Sequence, residues 1–209
     1  MPVGVPKTAF LIPDDEDPNC NRLYHERILF LGHELDQELG NQIAGLLIHF
    51  TIQDQTRGFF LFINSPGGLV IPGLAVFDTM QWVPPGVTTI CMGIAASMAS
   101  FVLLGGRFTK RLSFPNARVM VHQPATAYGL RNKKKKKKKK KYKTVYYFSD
   151  ASEIYRLRNY IVDIYMKRTG QPYEIISRDL ERDSFMTPEE SVKYGIIDEV
   201  LYPLEMWEV

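Results

Sequence analysis

Apolar positions along this chain change period repeatedly, and each change marks an element. Arg27 to Leu31 (RILFL) reads as a strand. Leu39, Ile43, Leu46, Leu47 and Phe50 then recur at helical spacing, with Asp36 and Glu38 at the acidic start. Phe59 to Ile63 (FFLFI) is an unbroken apolar run ended by Pro and Gly, the pattern of a strand buried on both faces. Leu74 to Trp82 predicts a helix, broken by Pro84-Pro85-Gly86, and Val87 to Cys91 predicts another buried strand. Ser97 to Leu104 predicts a helix stopping at Gly105-Gly106, and Arg118 to His122 a further short strand.

Further on, Ile154, Leu157, Ile161 and Ile164 share one face of a long helix that Gly170 ends. Thr187-Pro188-Glu189-Glu190 starts a short helix, with Thr as N-cap, Pro at the first helical position and Glu three residues after the cap. Gly195 closes it. Repeated strand-helix alternation predicts an α/β fold with a mostly parallel sheet and right-handed crossovers. At 209 residues and 45% hydrophobic, the chain supports one core, and one domain is expected over 21–209. The first 20 residues carry four prolines and a DDED cluster, which predicts a flexible arm.

The formal net charge of +3 conceals two parts. Lys133 to Lys141 contribute nine charges, and the remainder has 17 basic against 23 acidic residues, a net of −6. A general nucleic-acid or membrane surface is not expected outside the run. The run itself predicts a solvated, self-repelling loop, with polyanion binding as one alternative and disturbed assembly as another. Cys20 and Cys91, far apart, indicate neither a disulfide framework nor a metal set. The opening MPVGVPKTAFLIPDDEDPN lacks the pattern of a secretory signal or transit peptide, and no apolar stretch approaches the roughly 20 residues of a membrane span.

Ser97 stands where a strand ends in small residues and a helix begins, a place suited to a nucleophile. His122 ends an apolar strand just before Gln-Pro, where α/β sheets carry reacting groups, and is the preferred base. His25, His33 and His49 lie in a charged stretch, a turn and an amphipathic helix. Gly68 and Met98 are the natural amide donors for an oxyanion. The residues alone pick out no carboxylate to orient the histidine, and composition does not separate, for example, Asp183 from Asp179 four residues earlier.

The segments INSPGG, TICMG-x-AASM, RVM-x-HQP and ERD-x-F-M/L-x-x-x-E-x-x-x-Y-G-I/L-x-D resemble the proteolytic subunits of the Clp protease, from Asn21 to Leu201. The opening MPVGVPK is most similar to plastid-encoded members. That resemblance implies a fold shared with crotonase-like proteins, in which repeated β-α-β units carry a handle of strand plus long helix used in ring stacking. It implies a Ser97, His122, Asp183 triad, the acid being the one directly before x-F-M/L, with Gly68 and Met98 at the oxyanion. It implies two stacked seven-membered rings, homo- or hetero-oligomeric, cleaving unfolded proteins in the chloroplast stroma. An ATP-driven Clp chaperone would feed them, so ATP belongs to the partner; this chain lacks a phosphate loop and no cofactor or metal is expected in it.

Two departures stand out. Ala99 replaces the usual Gly after Ser-Met, and a lysine-rich insert at about 130–145 lengthens the handle region between His122 and Asp183. Two other functions are compatible with the pattern: a non-catalytic ring subunit, and a crotonase-like acyl-CoA enzyme with an amide oxyanion hole.

Overall fold

A computed structural model describes residues 22–122 and 143–202. The arm expected over 1–20 and the Lys133–Lys141 run lie outside them, as does the expected insert up to residue 142. The described residues form seven strands and seven helices. After α1 (Arg22–His25) come β1 (Ile28–Leu31), α2 (Gln37–Gln53), β2 (Phe59–Ser65), α3 (Val70–Trp82), β3 (Val87–Ala96) and α4 (Met98–Leu104). Then follow β4 (Arg111–Ser113), β5 (Arg118–Val121), α5 (Lys143–Thr169), α6 (Tyr173–Leu180), β6 (Ser184–Met186), α7 (Pro188–Tyr194) and β7 (Glu199–Val200).

One sheet runs β1-β2-β3-β4-β7, and every pairing along it is parallel. β3 forks: residues 89–91 pair with β4, while residues 94–96 pair with β5. A register shift between Ile63 and Ser65 of β2 accompanies the fork. There the Asn64 Oδ1 accepts from the Ile94 amide at 3.2 Å, restoring a bond that the ladder loses. β6 turns back and pairs antiparallel with β5.

α2 begins where the acidic pattern placed it, with the Leu39 amide donating to Asp36 Oδ1 at 2.8 Å. α3 starts at Val70, ahead of the expected Leu74, because Leu69 and Val70 follow directly from the glycine turn. α7 has the full capping box at Thr187 and Glu190 and ends on a left-handed Gly195, as its sequence specified. α4 differs from the amphipathic helices: all seven residues are buried, the mark of a helix wrapped on every side. Phe101, with rings of Phe77 at 4.7 Å and Tyr165 at 5.9 Å, anchors it to α3 and α5. Each such fully buried large side chain stabilises the fold by about 1.5–3 kcal/mol.

The C-terminus of α4 is finished by charge. Arg168 donates to the Leu104 carbonyl through Nε at 3.1 Å and Nη2 at 2.9 Å, satisfying an acceptor the helix leaves open. Its neighbour Arg111 grips Asp198 with Nε at 2.9 Å and Nη2 at 2.5 Å and also reaches the Gly195 carbonyl at 2.8 Å. Burial alone would raise the Asp198 carboxyl, but the bonds and charge of Arg111 outweigh it and hold it below the ordinary range. This ties β4 to the turn before β7.

Candidate active site

The site forms at the carboxyl end of β3, where the sheet splits. Ser97 joins β3 to α4 with φ 55° and ψ −123°, the conformation of the first central residue of a type II′ turn, which glycine normally occupies. The helix expected from Ser97 therefore begins one residue later, at Met98. A side chain held so costs on the order of 1–3 kcal/mol, and such strain is stored where it places a functional group. Serine at an N-cap ordinarily accepts from the first-turn amides. Here it makes no capping bond, and its hydroxyl faces a different partner.

That partner is His122, the first residue after β5. Its Nε2 lies 2.8 Å from Ser97 Oγ, and its Nδ1 lies 3.0 Å from Asp183 Oδ1. The β-ladder explains both approaches. Ala96 pairs with Met120 across β3 and β5, and the Ser97 amide donates to the Met120 carbonyl at 2.9 Å, bringing the two strand tips together. Val121 pairs with Ser184 across β5 and β6, so the next residues outward in antiparallel register are His122 and Asp183. The imidazole is 28% exposed and the Asp183 carboxylate 64%, so the line runs from a sheltered hydroxyl to an open carboxylate.

Asp183 and Asp179 are thereby separated. Asp179 lies in α6, where it accepts from Tyr194 Oη at 3.2 Å and Arg178 Nε at 3.1 Å. Burial, then the adjacent Asp179 charge, pushes the Tyr194 phenol up. The remaining histidines are elsewhere. His33 offers its carbonyl to Ser65 Oγ at 2.6 Å, and His49 pairs with Gln53 along α2 at 3.2 Å.

The glycine turn closes the far side. Gly67 has φ 94°, and a Cβ there would fall 2.5 Å from the Ala96 carbonyl and 2.8 Å from Ser97 Cβ, so only hydrogen fits against the elbow. Gly68 packs on Leu35 with the same lack of room. In this pairing Leu35 N donates to Gly67 O at 2.7 Å and Leu69 N to Leu35 O at 2.8 Å, which turns the Gly68 amide to the opposite side. Among the described residues neither the Gly68 nor the Met98 amide meets an acceptor. Met98 follows the serine directly, and Gly68 follows Gly67, which packs against Ser97 and the Met98 nitrogen, so both open donors belong to segments beside the serine.

Sequence reasoning missed two supports. Ser65 braces the turn by accepting from the Gly67 amide at 3.1 Å while donating to His33, and Asn64 bridges the fork. A polar pair ahead of Pro-Gly-Gly was the available signal, since buried Ser and Asn need partners. No cluster of three or more His, Cys, Asp or Glu side chains able to hold a metal occurs among the described residues. Cys91 is a buried thiol, raised by desolvation, inside β3.

A split parallel sheet that presents a hydroxyl, an imidazole and a carboxylate in line, with open amides beside them, defines a hydrolase. The chain belongs to the Clp protease family, whose sequence profile matches residues 15–203. It is similar to plant proteins named ATP-dependent Clp protease proteolytic subunit. The one from Nicotiana tabacum is 50% identical over 202 residues, 95% of this chain and 97% of the relative. The one from Drimys granadensis is 50% identical over 204 residues, 96% of each. The protein is therefore a peptide hydrolase, and the acyl-CoA alternative is set aside.

Proposed function

We propose that this chain is a catalytically active serine endopeptidase subunit of a plastid Clp complex. In it Ser97 is the nucleophile, His122 the base and Asp183 the group that orients the imidazole. The observation that carries this reading is the continuous line from Ser97 Oγ to His122 Nε2 at 2.8 Å and from His122 Nδ1 to Asp183 Oδ1 at 3.0 Å. Neutral His122 takes the serine proton as Oγ attacks the peptide carbonyl carbon, and the amides of Gly68 and Met98 donate to the oxygen that gains charge. The imidazolium then passes its proton to the leaving amine, and water repeats the cycle on the acyl-serine. Asp183 accepts from Nδ1–H throughout and keeps Nε2 facing the hydroxyl.

No cofactor of this chain enters those steps; ATP would serve the partner chaperone that unfolds substrates. Large apolar side chains stand exposed at Phe60, Leu69, Ile71, Trp82 and Phe185, which supports burial against further subunits in stacked rings and against unfolded substrate. No described helix is long and apolar enough to cross a membrane. The similarity to plant subunits supports a plastid setting, which we narrow to the stroma.

The test is activity-based labelling of the assembled complex. A fluorophosphonate probe should modify Ser97, and Ser97→Ala should abolish both labelling and peptide cleavage by this subunit. An assembled complex in which Ser97 stays unlabelled, or in which Ser97→Ala turns over peptide at the original rate, identifies a non-catalytic subunit instead.

A further inference from the structure

Ser100 and Tyr165 are buried side chains with hydroxyls that the proposed triad does not use. Ser100 sits one turn into α4, and its hydroxyl donates to the Ser97 carbonyl at 2.6 Å. Its oxygen also lies 2.9 Å from the phenol oxygen of Tyr165, on α5. The single Ser100 proton is committed to Ser97, so the Tyr165 hydroxyl is the donor in the second bond. The result is a directed chain: Tyr165 O–H to Ser100 Oγ, and Ser100 O–H to the Ser97 carbonyl.

The Ser97 carbonyl already receives the amides of Ser100 at 3.1 Å and Phe101 at 3.3 Å, and the hydroxyl bond is the shortest of the three. Those amide bonds are the ordinary opening of a helix, and they would form with alanine at 100. Back-bonds of this kind recur at Thr51, Thr79, Thr169 and Ser191, but at Ser100 the carbonyl held is that of Ser97 itself, and a second hydroxyl backs the bond. The Ser97 carbonyl and the Met98 amide belong to one planar trans peptide, so fixing the carbonyl inward fixes the N–H outward. The Met98 nitrogen and the Ser97 Cβ both lie beside Gly67, and no acceptor among the described residues meets that amide.

We propose that Ser100 and Tyr165 are positioning residues for the oxyanion donor: through the Ser97 carbonyl they lock the 97–98 peptide so that the Met98 amide is aimed before substrate arrives. The inference rests on the reading of Ser97 and Met98 given above and adds the device that aims them. It also makes α5 a support of the chemistry, since Tyr165 comes from the face of α5 that carries Ile161, Val162 and Ile164 into the core.

The test separates aiming from folding. Taking away both hydroxyls with shape-conserving changes, Ser100→Ala with Tyr165→Phe, removes donor and acceptor together, a change that is close to neutral for stability. The double variant should assemble with an unshifted melting midpoint. Its kcat for a fluorogenic peptide should fall several-fold to about tenfold with KM held within twofold, a part of the roughly 10²–10³ that an oxyanion donor supplies. Fluorophosphonate labelling of Ser97 should slow in the same ratio. Tyr165→Phe alone should give a smaller fall in kcat alone.

A folded, assembled double variant with unchanged kcat overturns the proposal, as does a loss of kcat that only tracks a loss of melting temperature or assembly. Ser97→Ala run beside it distinguishes the two readings. An inactive Ser97→Ala with a fully active double variant leaves the nucleophile standing and removes the relay; an active Ser97→Ala removes both.

Discussion

The Ser97 hydroxyl faces an imidazole because a single residue is bent out of the ordinary backbone range. At φ 55°, Ser97 cannot cap its own helix, so its oxygen is free for His122 at 2.8 Å. Only hydrogen at position 67 leaves room for this bend. The carboxylates make the same point about position. Asp179 and Asp183 are chemically alike, yet one is bound to Tyr194 and Arg178 and the other faces His122. Asp183→Asn should lower kcat by on the order of 10²–10⁴ by releasing the imidazole from its tautomer, whereas Asp179→Asn should stay within a few-fold of the parent. Steady-state hydrolysis of a fluorogenic peptide by the two variants checks the contrast, and equal losses would reverse the assignment.

Elements supply the positions, and the short ones matter most. β5 and β6 are four and three residues long, yet their register sets His122 beside Asp183. Long apolar runs made β1, β2, β5 and the first half of β3 legible in the sequence, helical periodicity did the same for α2 and α5, and the Gly105-Gly106 stop marked α4. β4 (RLS), β6 (SFM) and β7 (EV) are too short for any period to register. α6 left a faint signal, since Ile176 and Leu180 are four apart and both buried. Ser97 and His122 were therefore readable from their own contexts, while Asp183 needed family resemblance, because its place depends on a strand with no pattern.

β4 and β7 are only three and two residues long, and Arg111 with Asp198 compensates. Because the Asp198 carboxyl is held below its usual range, its contribution to stability is complete above pH about 4 and is lost as pH falls through the folded value. Asp198→Asn should cost about 3 kcal/mol near neutrality, as removal of one partner from a mostly buried pair does, and should flatten the acid limb of the stability curve. Urea unfolding of both forms between pH 3 and pH 7 measures this. A parallel pair of curves would show that Arg111 does not depend on Asp198.

At the scale of the whole molecule, charge is divided unevenly. The nine lysines at 133–141 reverse the sign of a chain that otherwise carries −6. Replacing Lys133–Lys141 with glutamines should abolish retention on an immobilised polyanion at low salt and leave peptide hydrolysis within twofold, because clustered lysines attract polyanions by a salt-screened force and the chemistry proposed for Ser97 needs no lysine. Loss of assembly in that variant would instead assign the run a part in ring stacking.

His122 and Asp183 stand 61 positions apart in the chain, and β5 meets its carboxylate-bearing partner only through β6. During synthesis the serine and the imidazole emerge early and wait, unpaired with their acid, while α5 and α6 are still being made. On the roles proposed above, a nascent chain ending before residue 183 lacks the group that orients the imidazole and should cleave peptide only weakly.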